Sequence, residues 1–263
     1  MCLLVLAWRV HPRHRLVVAA NRDEFHSRPA AALARWEDPA GVIGGRDIQA
    51  GGAWFAVDAR RRAGIVTNFR EFGQRRPDAP SRGALIPAFL GQPGSPGAHL
   101  RSLEADSAGY AGFNLLLADR DSLWYASNRA DPFARELPPG IYGLSNEFLD
   151  TPWPKLVRVR ARFAALLAAD AAQPNLALAG ALFDLLADRE MAPLASLPPG
   201  DLPPELARRL SAPFVLDETY GTRCSTVLTI SPDDTLRVAE RRFDARGVPS
   251  GEAEHALNPT PQG

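Results

Sequence analysis

Lysine is nearly absent. Of the 30 basic residues in this 263-residue chain, only Lys155 is a lysine, and the rest are arginine. Arginine suits bidentate recognition of carboxylate and phosphate. Alanine and proline are abundant as well, so the arginine excess reads as a genomic composition bias. A net charge of +0 supplies no broad basic field and excludes a nucleic-acid binder of that kind. Cysteine is scarce too: Cys2 and Cys224 are the only two, which excludes a disulfide framework. There is no Cys-x-x-Cys pair, and the five histidines (His11, His14, His26, His99, His255) lack metal-ligand spacing, so no metal is expected. No apolar run approaches the roughly 18 residues of a membrane helix. Residues 3–8 are too short for a signal-peptide core and have no basic segment before them, so the expected location is cytoplasmic. Nucleotide-binding glycine motifs are also missing.

What is present is an ordinary globular composition, 46% apolar, with length for a substantial core. Residues 3–10 and 15–20 read as a hairpin around the turn His11-Pro12-Arg13-His14. Further strands are expected over 53–58, 63–68, 113–118, 123–128, 140–144, 225–230 and 236–243. Gly44-Gly45 and Gly51-Gly52 read as tight turns, and Ala59-Arg60-Arg61-Arg62 as a polar turn. Helices are expected over 82–90, 154–172, 175–187 and near 205–210. The second of these carries Leu156, Val159, Phe163 and Leu167 on one face. Strands, then helices, then strands again make the class α+β, helices on antiparallel sheets. One domain over 1–246 is expected, followed by a flexible tail over 247–263 that is poor in apolar residues.

Cys2 carries the most chemistry. If Met1 is removed, its thiol and a free α-amine share one residue, a nucleophile with its own base. Their ordinary pKa values, about 8.5 and about 7.7–8.0, permit proton exchange near neutrality. Read alone, Cys2 is better taken as a small residue opening a buried strand. The apolar strand 16–20 runs into Asn21-Arg22-Asp23-Glu24, placing polar groups at the mouth of a sheet. A guanidinium there stabilises a thiolate, and a carboxylate holds either the guanidinium or the amine. Gly64-Ile65-Val66-Thr67-Asn68 and Tyr142-Gly143-Leu144-Ser145-Asn146 end in asparagines able to donate to an oxyanion. Gly221-Thr222-Arg223-Cys224 opens a strand with a second arginine. Each taken singly is also a turn residue capping its own backbone. Trp36, Trp54 and Trp153 are candidates to line a groove.

These segments together, with Ser27-Arg28-Pro29, Gly51-Gly52-Ala53-Trp54, Gly112-Phe113-Asn114-Leu115 and Thr151-Pro152-Trp153-Pro154-Lys155, resemble the NRDE family, also called the transport-and-Golgi-organisation family. The resemblance runs from Met1 to about Phe243. That family is similar to the N-terminal-nucleophile hydrolases, which implies a four-layer αββα sandwich. The branch of bile salt hydrolases and penicillin V acylases implies Cys2 as nucleophile, Arg22 beside it, Asn146 and Asn68 at the oxyanion and pocket, and Arg223 as a further arginine. Asp23 is the implied acid partner, with Glu24 as its rival, because the acid spacing departs from the acylase pattern. Asn21, Glu24, Asn68 and Trp54 are the implied substrate contacts. The expected activity is hydrolysis of a small amide or acyl substrate with no cofactor required. The alternative implied by the resemblance is a non-catalytic haem or acyl-lipid carrier, with Cys2 or His26 as an axial ligand. An interaction module is a third reading, and it leaves the polar strand ends without a purpose.

Overall fold

A computed structural model describes residues 2–71, 78–173, 177–198 and 202–259. Two compact units make up the chain. The first takes residues up to Ser27, Pro139–Ser145, and everything from Leu149 onward; the second takes Arg28–Pro138 and Asn146–Phe148. Each unit has its own core. No compositional break marks them, because the chain passes between them at ordinary short connections.

The first unit is a six-stranded sheet: β1 (Cys2–His11), β2 (His14–Phe25), β10 (Gly140–Leu144), β11 (Tyr220–Ile230), β12 (Leu236–Phe243) and β13 (Pro249–Leu257), in the order β10-β1-β2-β11-β12-β13. Every pairing is antiparallel. Strand periodicity divides its side chains. Leu3, Val5, Ala7, Val17, Ala19 and Val227 share a core with α3 (Pro154–Ala172) and α4 (Leu178–Leu186). α3 forms because Pro154 opens it and its apolar residues recur every three or four positions, presenting Leu156, Val159, Phe163 and Leu167 to the sheet. Burying each such side chain contributes about 1.5–3 kcal/mol. α5 (Pro204–Arg209) completes this unit's helices.

β13 corrects the expectation of a flexible tail. Gly251, Ala253, His255 and Leu257 alternate half-buried with exposed neighbours, a period-two pattern in which only the last is a large apolar residue. Backbone pairing to β12 and ion pairs hold it: Arg241 Nε to Glu252 Oε1 is 2.8 Å, directly across the register. Part of the expected tail, beyond residue 259, lies outside the described residues, as does the start of the helix expected over 175–187.

The second unit is a seven-stranded antiparallel meander: β3 (Ala30–Arg35), β4 (Val42–Asp47), β5 (Phe55–Asp58), β6 (Ala63–Asn68), β7 (Phe113–Ala118), β8 (Leu123–Ser127) and β9 (Ala134–Glu136), paired in sequence order. α1 (Leu85–Leu90) and α2 (Pro96–Glu104) cover it through Leu85, Ile86, Phe89 and Leu100. Gly44 and Gly45 lie within β4 rather than in a turn. They are glycines because of close approach: a Cβ on Gly44 would meet that of Ala56 at 2.7 Å, and one on Gly45 would meet the Trp54 ring at 2.0 Å. Gly51, with φ +71°, does sit in a turn. The α+β class holds, with a helical layer and a sheet layer in each unit.

Candidate active site

The site begins with register. Cys2 pairs with Arg22 across β1 and β2, and Arg22 pairs with Cys224 across β2 and β11. Directly opposed residues point to the same face, with Cβ atoms about 4.5–5.5 Å apart. Cys2, Arg22 and Cys224 therefore form one row across three strands, on the face opposite α3 and α4. Arg22 is buried, and its Nη2 lies 3.8 Å from Glu24 Oε2, two residues along the same strand and face.

A bulge follows. Thr222 pairs with Asp23 and Cys224 with Arg22, so Arg223 is the extra residue. The bulge redirects its guanidinium, whose Nη1 donates to the carbonyls of Phe25 (2.8 Å) and His26 (3.1 Å). Burial pulls the Arg223 pKa down, and the nearby positive charge of Arg22 adds to the effect.

Asp23 is buried, and its Oδ1 accepts from Thr222 Oγ1 at 2.7 Å. Thr222 Oγ1 in turn accepts from the Val215 N–H at 2.9 Å. Burial raises the Asp23 pKa above its usual 3.8, against the opposing charges of Lys155 and Arg22. The two acids thus part company: Glu24 pairs with Arg22, while Asp23 is held by Thr222 and sensed by Lys155. Lys155 is buried in the first turn of α3, its Nζ donating to Leu210 O at 2.9 Å. Sequence reasoning passed over it, although a lone lysine in an arginine-biased chain was a signal. A compact ammonium serves there where a guanidinium is larger and planar.

Cys2 is half-buried and Cys224 fully so. Burial raises the Cys2 thiol pKa above 9.0, and the Asp23 charge adds to it; the Asp23 backbone and Arg22 pull it down without winning. Arg22 acts in the expected direction, lowering the thiol pKa, and desolvation outweighs it. Cys224 is pushed up much further, first by burial and then by Glu240. An alkylating reagent is expected to label Cys2 and spare Cys224 in the folded protein, read by peptide mass. In Arg22→Ala the labelling profile should move to higher pH. Labelling of Cys224 at a comparable rate, or an unmoved profile, would contradict this electrostatic account.

Ser145 Oγ donates to the Cys2 carbonyl at 2.9 Å, anchoring the first residue of β1 to the end of β10. Asn21 takes a different part from the one expected. Its Nδ2 donates to the carbonyls of Leu186 (2.9 Å) and Pro213 (3.0 Å), and its Oδ1 accepts from Ser225 Oγ at 2.6 Å. With its amide spent on the protein, Asn21 is a scaffold residue tying β2 to the end of α4. Asn68, Asn146, Trp36 and Trp54 belong to the second unit. Asn146 is buried there and its Nδ2 donates to the backbone carbonyl of Asn68 at 2.9 Å, so these two asparagines do meet. Trp54 lies against Gly45 and is partly buried. Trp36 is buried, with Nε1 donating to Gly44 O at 2.9 Å, which removes it as a groove residue. His26, a candidate haem ligand, has Nε2 3.0 Å from the Asp217 carbonyl, and its Nδ1 is buried.

A family profile described as "Transport and Golgi organisation 2" matches residues 1–245. The chain belongs to the Transport and Golgi organisation 2 family. Relatives in this family include the mouse (Mus musculus) "Transport and Golgi organization 2 homolog", 31% identical over 260 residues and covering 92% of each chain. The Bos taurus homolog is 32% identical over the same coverage, and the Drosophila melanogaster protein 24% identical over 91% of each chain. Among solved structures, the chain is similar to the Caenorhabditis elegans N-acylethanolamine-hydrolyzing acid amidase ortholog, at 12% identity and a TM-score of 0.47, covering 88% of this chain and 93% of that one. The family match spans the β1–β2 block and the β11 bulge alike. No helix among the described residues is long and apolar enough to cross a membrane.

Proposed function

We propose that this member of the Transport and Golgi organisation 2 family is an N-terminal-nucleophile amidohydrolase, with Cys2 attacking a small acyl amide after loss of Met1. The observation that carries the reading is the β1–β2 register. It ends at Cys2 opposite Arg22, so Asp23 lies one step beyond, where the α-amine of a first-residue Cys2 would emerge. A thiol with a raised pKa is not a standing thiolate. It needs a base at the moment of attack, and the α-amine is that base. The Cys2 sulfur forms a bond to the carbonyl carbon as its proton passes to the amine. Arg22 and Arg223 stabilise the negative charge that develops. Collapse breaks the C–N bond, the proton goes to the leaving amine, and a thioester remains. Water then adds to the thioester carbonyl, the C–S bond breaks, the carboxylic acid leaves and the Cys2 thiol is restored. Asp23 orients the α-ammonium, with Lys155 and Thr222 keeping the carboxylate in place. The Arg22 guanidinium across the register from the nucleophile favours a substrate with a negative charge beside its amide.

The test is a panel of acyl p-nitroanilides, with and without a terminal carboxylate, read alongside intact mass. Turnover is expected only in protein lacking Met1, with Cys2→Ala inactive. A Cys2→Ala variant that retains turnover, or full activity with Met1 in place, would sink the proposal. Haem binding that survives Cys2→Ala, with no turnover in the wild type, would favour the carrier reading instead.

A further inference from the structure

A second polar cluster lies at the other end of the β1–β2 hairpin, away from Cys2. The buried stripe of α3, Leu156, Val159, Phe163 and Leu167, continues to Asp170, so a carboxylate 2% exposed occupies a position the pattern assigns to an apolar side chain. Burying a carboxylate is costly unless a cation meets it. Three groups of the hairpin end converge on its Oδ2: His11 Nε2 at 3.3 Å, His14 Nε2 at 4.0 Å, and the Arg13 guanidinium, which also donates to the Asp170 carbonyl at 2.7 Å. One ligand atom from each of His11, His14 and Asp170 falls within 4.8 Å of the others. Donor atoms held at about 2.0–2.2 Å around one tetrahedral ion stand about 3.4 Å apart. His11 and Asp170 already match that span, and His14, whose side chain is 18% exposed, can close the rest.

We infer that His11, His14 and Asp170 form a binding site for a borderline divalent transition ion of the zinc class, with Arg13 holding the cation's place when the ion is absent. Two imidazoles and one carboxylate suit such an ion and not a hard one such as magnesium. His11 Nε2 is buried without a well-aligned hydrogen bond. Three protein ligands leave a coordination position for water or a small ligand. His14 also lines a cleft of about 480 Å³ formed by the start of α4 and by β11, β12 and β13, with Thr229, Arg237 and Arg241 on its walls. That cleft is a route to the site. The expectation of no metal rested on sequence spacing; here the third ligand arrives by tertiary approach, 157 residues beyond Arg13.

Arg13 is the competitor. Its guanidinium neutralises Asp170, its backbone N–H donates to His11 Nδ1 at 3.2 Å, and the two imidazole rings stack at 5.0 Å. Ion binding requires all three arrangements to give way: Arg13 swings to solvent, His11 takes its Nδ1–H tautomer, and the rings turn toward one ion. The hairpin end is irregular already, with a register shift between Trp8 and His11 and a φ of +51° at Arg9.

The experiment is a Co²⁺ titration of the full chain, followed by visible absorption and by the imidazole NMR signals. One equivalent is expected, with visible d–d bands, no thiolate charge-transfer band, and broadening of the His11 and His14 resonances. His14→Ala and Asp170→Asn should each weaken binding by about tenfold or more, and Zn²⁺ should displace Co²⁺. Arg13→Ala should bind several-fold more tightly, a result that no purely structural role for the cluster predicts. Absence of binding in both the wild type and Arg13→Ala, a thiolate band, or equal affinity in His14→Ala overturns the proposal.

Discussion

Replacing Asp23 by asparagine is expected to abolish hydrolysis while making the protein more stable at neutral pH. The two effects have one cause. Burial raises the Asp23 pKa above 3.8 even with Lys155 and Arg22 pulling the other way, so the ionised carboxylate is less favourable in the folded chain than in the unfolded one. Below pH about 3.8 the carboxyl is protonated in both states and contributes no pH-dependent difference. As pH rises from there through the raised folded value, the unfolded chain loses its proton first, and stability falls. Above that window the loss is complete and constant. Asparagine keeps the oxygen that accepts from Thr222 Oγ1 at 2.7 Å and removes the charge. Melting temperature at pH 7 should therefore rise by a few degrees, and the gain should vanish in acid. Turnover should fall by about two orders of magnitude or more, as for loss of a positioned acid–base partner. A variant destabilised at pH 7 would show that Asp23 is a structural anion, and unchanged turnover would remove it from the mechanism.

This trade between stability and a charged, buried group was half legible in the sequence. The block from Asn21 to Glu24 stood out after an apolar strand; β1 and β2 were readable as short apolar runs on either side of a turn, and α3 by its three-to-four-residue period. What the local pattern could not reveal was direction. Successive strand residues face opposite sides, so Arg22 and Glu24 share the Cys2 face while Asn21 and Asp23 turn toward other partners. The bulge at Arg223 shifts the register by one residue with no compositional mark. β4 was hidden by glycines present for close packing, and β13 by an alternation carried in small and charged residues. α2 escaped notice despite Ser95, whose hydroxyl caps Ala98 N at 3.3 Å, and Pro96 at its first turn. The first sheet is hard to read locally because its strands are distant in sequence: β2 pairs with β11 across most of the chain, whereas the second sheet is paired in sequence order.

The polar turn Ala59-Arg60-Arg61-Arg62 carries the largest stability prediction. Asp58→Ala is expected to cost about 3–5 kcal/mol, a large share of the roughly 5–15 kcal/mol that holds a typical domain. The turn is charged but not solvated: Asp58, Arg61 and Arg62 are all buried. Asp58 Oδ1 accepts from the backbone N–H groups of Arg60 (2.9 Å) and Arg62 (3.0 Å), and Oδ2 from Arg62 Nε at 2.9 Å. Arg62 then spends its other nitrogens on the carbonyls of Leu90 (2.5 Å) and Gln92 (2.8 Å), where α1 ends, and its guanidinium lies 4.6 Å from the Phe89 ring centroid. One carboxylate thus closes the β5–β6 turn and, through Arg62, the C-terminus of α1. Alanine leaves the guanidinium buried without its counter-charge and strands two turn N–H groups. At about 2–4 °C per kcal/mol for a chain of this size, melting should fall by roughly 6–20 °C. Asp58→Asn keeps the oxygen that serves the backbone and should cost less. Adding Arg62→Met to Asp58→Ala should recover part of the loss, since the uncompensated charge is then gone. Strict additivity of the two substitutions, measured by denaturant unfolding, would show that the pair is not coupled and that the turn is held by its backbone alone.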